Sequence, residues 1–175
     1  MTDAQIRGIF AGASDFEARK LRVGDWELYG YFVDGLVSGS FVADYIYKPV
    51  VRDLPESVPE AYAAALRGGV YNAVARPCKD LTDVTTKIVN GFCVVLFPGT
   101  GAIAFEVKTS VNRGPSAPEV ENTVKGPKDA FVENVRINTG LLRRHLRSPD
   151  LRLYETQVGK RSLTNVSVVW LEGIT

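Results

Sequence analysis

Apolar and polar residues alternate along Glu17 to Val23 and again along Trp26 to Val33, with Gly24-Asp25 between them. Period-two patterning around a two-residue turn predicts a β-hairpin. Two apolar runs, Phe92–Phe97 and Ala102–Val107, flank Pro98-Gly99-Thr100-Gly101 and predict a second strand–turn–strand unit. Leu151–Val158 and Val166–Leu171 predict a third. Helical signals fall between these pairs. Residues 3–11 form a short helix weakened by Gly8, and Ser38 or Ser40 caps one running to about Arg52, with Phe41, Tyr45 and Ile46 on one side. Pro49 kinks or stops that helix near its end. Pro59-Glu60-Ala61 opens an alanine-rich helix that Gly68-Gly69 ends, and Asp80 or Thr82 caps another at Leu81–Val89. The pattern is weakest from Leu54 to Pro77. The expected fold is α/β: a mixed sheet of about six strands in hairpin-like pairs with helices packed on it.

The most structured stretch of sequence runs from Val124 to Arg152. Gly126-Pro127 suits a helix start, because proline at the first helical position loses no hydrogen bond. Asp129 and Glu133 sit toward the start and Arg143, Arg144, His145 and Arg147 crowd the end, which complements the macrodipole. Ser148-Pro149 stops the helix. A helix over 128–147 that crosses the sheet is therefore expected, with Phe131, Val132, Val135, Leu142 and Leu146 as its apolar stripe. Asn112 to Glu121 before it, with Gly114, Pro115 and Pro118, reads as a loop that is functional or a hinge.

Composition narrows the function classes. The chain has 175 residues, 45% hydrophobic and 23% charged, with a net charge of +1, as in an ordinary soluble domain. That charge gives no electrostatic case for a nucleic-acid or membrane surface, and no stretch approaches the ~20 apolar residues of a membrane helix. The N-terminus lacks the basic leader and apolar core of a signal peptide. One histidine, His145, and two cysteines, Cys78 and Cys93, argue against a zinc site and a disulfide framework, and Cys93 reads as a buried thiol. A carboxylate site for a hard cation from Glu119, Glu121 and Glu133 is conceivable, but those residues are more simply partners for arginines. His145 has no acid beside it in sequence to orient it as a base, and neither Pro98-Gly99-Thr100-Gly101 nor Gly159-Lys160-Arg161-Ser162 is a phosphate loop. The basic set Arg143, Arg144, Arg147, Arg152, Lys160 and Arg161 could hold an anion or an acidic partner surface, or be a solvated rim. No aromatic residues interleave with it, so nucleic acid is a poor fit. The expectation is no enzyme, no catalytic residue, no metal and no cofactor.

Several motifs in order resemble the bacterial spore-germination GerA family, the A subunits of nutrient germinant receptors. They are Pro118-x-x-Glu121, Val124-Lys125-Gly126-Pro127-Lys128, Phe131-x-Glu133, Asn138, and Leu141-Leu142-Arg143-Arg144 followed by Ser148-Pro149-x-Leu151. Ser14-Asp15-Phe16, Phe32-Val33-Asp34-Gly35-Leu36, Val158-Gly159-Lys160-Arg161-Ser162 and Val168-Val169-Trp170-Leu171-Glu172-Gly173-Ile174 extend the resemblance over most of the chain. Departures are Ala117 in place of an acidic residue, His145 in place of an arginine, and a divergent middle from Asp53 to Asp80. The resemblance implies part of a soluble N-terminal domain that faces the spore core, on a subunit in the spore inner membrane. It also implies partner B and C subunits, the membrane portion of the same subunit, and a role in sensing nutrients such as amino acids or sugars. Full-length A subunits are longer, so residues 1–175 read as a fragment.

Within that resemblance Glu121, Glu133, Asn138, Arg143 and Arg144 are expected to form a polar network for ligand binding or signal relay, clamping the helix to the preceding loop. Three classes stay open: a relay and interaction module, a small-molecule nutrient-binding domain, and an unrecognised hydrolase or phosphate-handling enzyme. One internal similarity bears on domain organisation. Ser14-Asp15 leads through Val23-Gly24 to Asp34-Gly35-Leu36, and Ser148-Pro149-Asp150 leads through Val158-Gly159 to Glu172-Gly173-Ile174, with three more residues in the second turn. A duplicated αβ unit would make residues 148–175 the first strands of a second, truncated lobe.

Overall fold

The computed structural model describes residues 1–52, 56–70, 73–107 and 130–174. The Asn112–Glu121 loop, the Gly126-Pro127 cap and Glu121 itself lie outside the described residues. The α/β class holds. Its strands divide into a five-stranded sheet, in the order β1-β2-β4-β5-β3, and a separate two-stranded sheet, β6-β7. Every strand pairing among the described residues is antiparallel.

Strands β1 (Phe16–Val23) and β2 (Trp26–Val33) form the first expected hairpin, closed at Val23 opposite Trp26. Gly24 adopts φ 60°, the left-handed backbone a two-residue turn needs and glycine supplies without strain. Strands β4 (Cys93–Phe97) and β5 (Gly101–Glu106) form the second, inserted beside β2. All five residues of β4 are buried, because helices cover both faces of the sheet. Strand β3 (Val74–Cys78) pairs on the outer side of β5. It falls in the stretch with the weakest pattern, and Pro77 inside it obscures the signal. A proline is tolerated there because β3 is an edge strand.

Alternation along the strands builds two cores. Leu28, Phe32, Cys93, Val95, Phe97, Ile103 and Phe105 point to one face and meet Val42, Ile46, Tyr47, Val50, Ala61 and Ala65. Tyr31, Val33, Val94, Leu96, Ala102 and Ala104 point to the other and meet Ile6 and Phe10 of the α1 region and Val84, Ile88 and Val89 of α5. Helix α1 spans Asp3–Ile9 and α5 spans Leu81–Val89, capped by the Asp80 carboxylate, which accepts from Asp83 N at 2.8 Å.

The first face is covered by residues 39–52 and 58–69. The former comprises α2 (Gly39–Val42), a π-helical turn at Ala43–Tyr47, and α3 (Lys48–Arg52). Pro49 therefore does not stop the helix. The wider turn ahead of it relieves the clash of its ring with the preceding carbonyls. The latter comprises α4 (Val58–Ala64), capped by Ser57, and a second π-helical turn at Ala65–Gly69.

Helix α6 (Val135–His145) starts seven residues later than the expected 128. Two asparagines explain the shift. The Asn134 side chain caps the helix, accepting from Arg136 N at 2.9 Å and Ile137 N at 3.3 Å. The Asn138 amide clasps Val132, accepting from its N–H at 2.8 Å and donating to its carbonyl at 2.7 Å. These bonds hold residues 132–134 out of the helix. The expected apolar stripe is accordingly corrected: Phe131 is 63% exposed and Leu146 42%, while Thr139, Gly140, Leu141 and Arg143 are the buried positions. Rather than crossing the large sheet, α6 packs on β7 and on the corner after β2. Strands β6 (Leu151–Val158) and β7 (Thr164–Leu171) complete the fold.

Candidate functional site

The polar centre of the molecule is the junction where the open end of the β1–β2 hairpin meets α6 and β6. Asp15 precedes β1 and Asp34 follows β2, and the Asp34 N–H donates to the Asp15 carbonyl at 2.8 Å, so the two carboxylates leave the sheet side by side. On α6, Arg136, Gly140 and Arg143 recur at i, i+4 and i+7 and share one face. The two rows interlock.

Arg143 Nε donates to Asp15 Oδ2 and Arg143 Nη2 to Asp15 Oδ1, both at 2.7 Å, and Nη1 donates to the Ser148 carbonyl at 3.1 Å. Both charged side chains are fully buried. Such a fork-to-fork pair fixes orientation as well as distance. Arg136 is partly exposed; it reaches Asp34 at 3.2 Å and donates both Nη groups to Glu155, at 3.1 and 3.2 Å. Gly140 permits the approach. A Cβ there would overlap the Gly35 carbonyl, and Gly35 itself sits at φ 87°.

Strand β6 is tied to the same corner. Ser14 N donates to the Leu153 carbonyl at 2.8 Å, its hydroxyl donates to the same oxygen at 2.6 Å, and Glu155 N donates back to Ser14 Oγ at 3.2 Å. Arg152 Nη1 donates to the carbonyls of Ile9 and Pro149 at 3.0 and 2.9 Å. Three arginines thus join the end of α1 and both ends of the first hairpin to residues 136–155.

Of the residues expected to form one network, Asn138 and Arg143 are engaged, each with a different partner. Glu133 is exposed on the approach to α6, and Arg144 is half-buried with its carbonyl accepting from Arg147 Nε at 3.2 Å. Asp15, Ser14, Asp34 and Arg136 were not among the expected site residues. The signal that could have found them is the pair of aspartates bracketing the first hairpin, matched by the Arg-x3-Gly-x2-Arg spacing on α6. The basic set likewise disperses: Arg143 is buried, Arg152 bonds carbonyls, and Lys160 and Arg161 lie at the exposed hairpin tip.

Beside the junction lies a cavity of about 620 Å³ lined by Glu133, Asn134, Arg136, Glu155, Gln157 and Ser167 among others. The Ser167 hydroxyl is buried with no hydrogen-bond partner among the described residues. No group of three or more His, Cys, Asp or Glu among the described residues could hold a metal ion, and no described helix is long and apolar enough to cross a membrane. Burial pushes the Cys78 thiol up to about 11 and the Cys93 thiol up to about 12, which leaves both un-ionised near neutrality.

The sequence profile described as "Bacillus/Clostridium GerA spore germination protein" matches residues 4–175. Stage V sporulation protein AF of Bacillus subtilis (strain 168) is 32% identical over 161 residues, covering 91% of this chain and 33% of the relative. Spore germination protein B1 of the same organism is 27% identical over 147 residues, covering 82% of this chain and 30% of the relative. The chain thus spans about a third of the length of these relatives. The crystal structure of the N-terminal domain of the A subunit of the Bacillus megaterium spore germinant receptor GerK3 superposes with a TM-score of 0.70 at 18% identity, over 98% of this chain and 63% of that one. Three of the motifs that carry the resemblance, Ser14-Asp15, Asp34-Gly35 and Leu141-Leu142-Arg143-Arg144, meet at this junction, and the chain belongs to the GerA spore germination family.

Proposed function

We propose that this chain is part of the N-terminal domain of a germinant-receptor A subunit and acts in spore germination as an interaction and signal-relay module, not as an enzyme. Its partners on this reading are the B and C subunits and the membrane portion of its own subunit, with the domain facing the spore core beneath the inner membrane. Residues 148–175 open a second lobe. The observation that carries the reading is an exposed apolar row on one face of β6–β7. Tyr154, Val158, Val166 and Val168 lie on that face, and Tyr154, Val158 and Val168 are each more than half exposed. Apolar rows of this kind in a two-stranded sheet favour an interaction surface. The hairpin is fastened to the first lobe by Ser14, which bonds Leu153 and Glu155, and by Arg136, which pairs with both Glu155 and Asp34, so a load on the hairpin is passed inward. The test is Tyr154→Lys with Val168→Lys in the full-length subunit. The expected result is a lost germination response with the melting temperature of this domain held within about 2 °C. A normal response would sink the reading.

The cavity beside α6 favours a second reading, a domain that binds a small nutrient. Its lining offers both charges, and the Ser167 hydroxyl, with no partner among the described residues, borders it. An amide-resolved titration with amino acids, sugars and nucleosides tests it. Saturable shifts confined to residues 133–138 and 155–167 are expected; a flat response across the panel would remove it.

A further inference from the structure

A second cavity, of about 430 Å³, runs along α5, near the latch that Arg143 and Asp15 form. One helix face forms its floor: Leu81, Thr85 and Val89 recur at i, i+4 and i+8, with Ile9 and Pro149 as facing walls. Val89 is 4% exposed and Thr85 9%. The Thr85 hydroxyl donates to the Leu81 carbonyl at 2.8 Å, which satisfies its proton within the helix and leaves its methyl as the lining. Thr82, Thr86 and Asn90 also line the groove, which is thus mainly but not wholly apolar.

Arg147 stands among its lining residues. Its Nε donates to the Arg144 carbonyl at 3.2 Å and its Nη1 to Asn90 Oδ1 at 3.1 Å. Both acceptors are neutral. They fix the guanidinium without neutralising it, and among the described residues no acidic side chain lines the cavity. Arg147 of the basic cluster is thus a cation held at a mainly apolar groove.

We propose that this groove binds a small aliphatic monocarboxylate, its carboxylate on the Arg147 fork and its tail along Leu81, Thr85 and Val89. A planar fork matches a carboxylate in two parallel bonds. A free amino acid fits less well, because its ammonium would find no counter-charge. An inorganic anion would leave the apolar floor unused. The volume lies in the range of small-molecule sites. The occupant would bridge α5 to the turn at 147–149, next to the Ser148 carbonyl that receives Arg143, so binding would bear directly on the latch. This assignment stands apart from the germination reading and does not require it.

The experiment is an amide-resolved NMR titration of the 175-residue chain with isovalerate, its isosteric amide, and leucine. Isovalerate is expected to give saturable shifts over residues 81–90 and 147–149, with the amide and leucine weaker by at least about tenfold. Arg147→Gln should lose isovalerate by a similar factor. Arg147→Lys should recover part of it, keeping the charge and losing the fork. Arg147 is exposed, so both variants are expected to fold; their unperturbed spectra check this. No saturable shift with isovalerate, equal binding of acid and amide, leucine as tight as isovalerate, or an unchanged Arg147→Gln would each overturn the proposal.

Discussion

The chain contains two hairpins of the same dimensions in different circumstances. In β1–β2 and in β6–β7, eight residues pair with eight in continuous antiparallel register. Both end in an acidic residue followed by a glycine of positive φ: Asp34-Gly35 at 87°, Glu172-Gly173 at 82°. They differ in their turns, two residues against five, and in burial. Tyr31, Phe32 and Val33 of β2 are all buried, whereas no residue of β7 is. Local sequence does not account for that, since β7 carries Val166, Val168, Val169, Trp170 and Leu171. Neighbours do. Strand β2 gains β4 at its side and helices on both faces, while β6–β7 has α6 and the Ser14 corner beside it and, from the row that carries Tyr154, Arg152 bonding the Ile9 carbonyl. A two-stranded hairpin alone is marginal in water. The second is therefore held from outside, and its apolar core contribution is small: Leu151 and Leu153.

If that is right, the pair Arg143–Asp15 should matter more to the second hairpin than to the first. Arg143→Ala leaves Asp15 as an uncompensated buried charge and should cost about 3–5 kcal/mol. Denaturant unfolding gives the total. Amide exchange separates the two regions: β6–β7 should exchange at lower cost than the β2, β4 and β5 core, in which every neighbour survives. The double change Asp15→Leu with Arg143→Met should restore much of the stability, because an apolar pair needs no counter-charge. Uniform loss of protection across both hairpins would erase the distinction drawn here.

Gly140→Ala probes the same junction by sterics. The added methyl meets the Gly35 carbonyl, backbone that cannot swing aside, so α6 must lift from the corner. Overpacking of this kind typically costs about 1–3 kcal/mol. Unlike the arginine change it removes no hydrogen bond. Longer Arg143–Asp15 contacts in the variant's crystal structure, with weakened β6–β7 protection, are the expected signature. An unchanged melting temperature would mean that the corner yields.

The first hairpin was legible in the sequence and the junction was not, for a physical reason. Alternation, a Gly-Asp turn and the run Phe92–Phe97 are local, and they place β1, β2, β4, β5 and the β6–β7 pair to within a few residues. Strand β3 escaped because Pro77 reads as a breaker, and only its edge position, a tertiary fact, admits it. Helix α6 was extended too far upstream because Gly126-Pro127 and Asp129 look like a start, whereas Asn134 and Asn138 compete from within. The latch joins residues 128 positions apart, and no spacing rule pairs Asp15 with Arg143. What sequence could show was that both lie in motifs of one family.

The large sheet has its own sensitive group in Cys93, and alkaline pH should find it. The thiol is held un-ionised by burial, up to about 12 from 9.0. The unfolded thiol loses its proton first as pH rises. Above about 9 the unfolded state therefore binds fewer protons than the native one, and stability falls until the native thiol ionises. Each such group contributes a slope of up to about 1.4 kcal/mol per pH unit in that window. Cys93→Ala should start less stable at pH 7 but decline less steeply from pH 9 to 11. Tyr31 and Tyr47, also pushed up by burial, steepen the decline in both proteins. Parallel curves would show that Cys93 is not the group responsible.

The smallest effect expected is a gain, and it belongs to the first region alone. The Tyr47 hydroxyl is buried with no hydrogen bond of good geometry among the described residues, only the weakly accepting Cys93 sulfur beside it, and the ring lies so close to Gly30 that a Cβ there would overlap it. Leaving a buried hydroxyl unpaired costs about 1–3 kcal/mol, while the ring itself packs well in the core around Phe32 and Val95. Tyr47→Phe removes the polar atom and keeps the ring. It should raise stability by about 1 kcal/mol, measured by denaturant unfolding, with slower exchange in β2 and β4 and none of the change in β6–β7. A loss of similar size would mean that the hydroxyl has a partner in solution, such as a water or the Cys93 thiol, and that this face of the sheet is held by a polar contact as the second hairpin is.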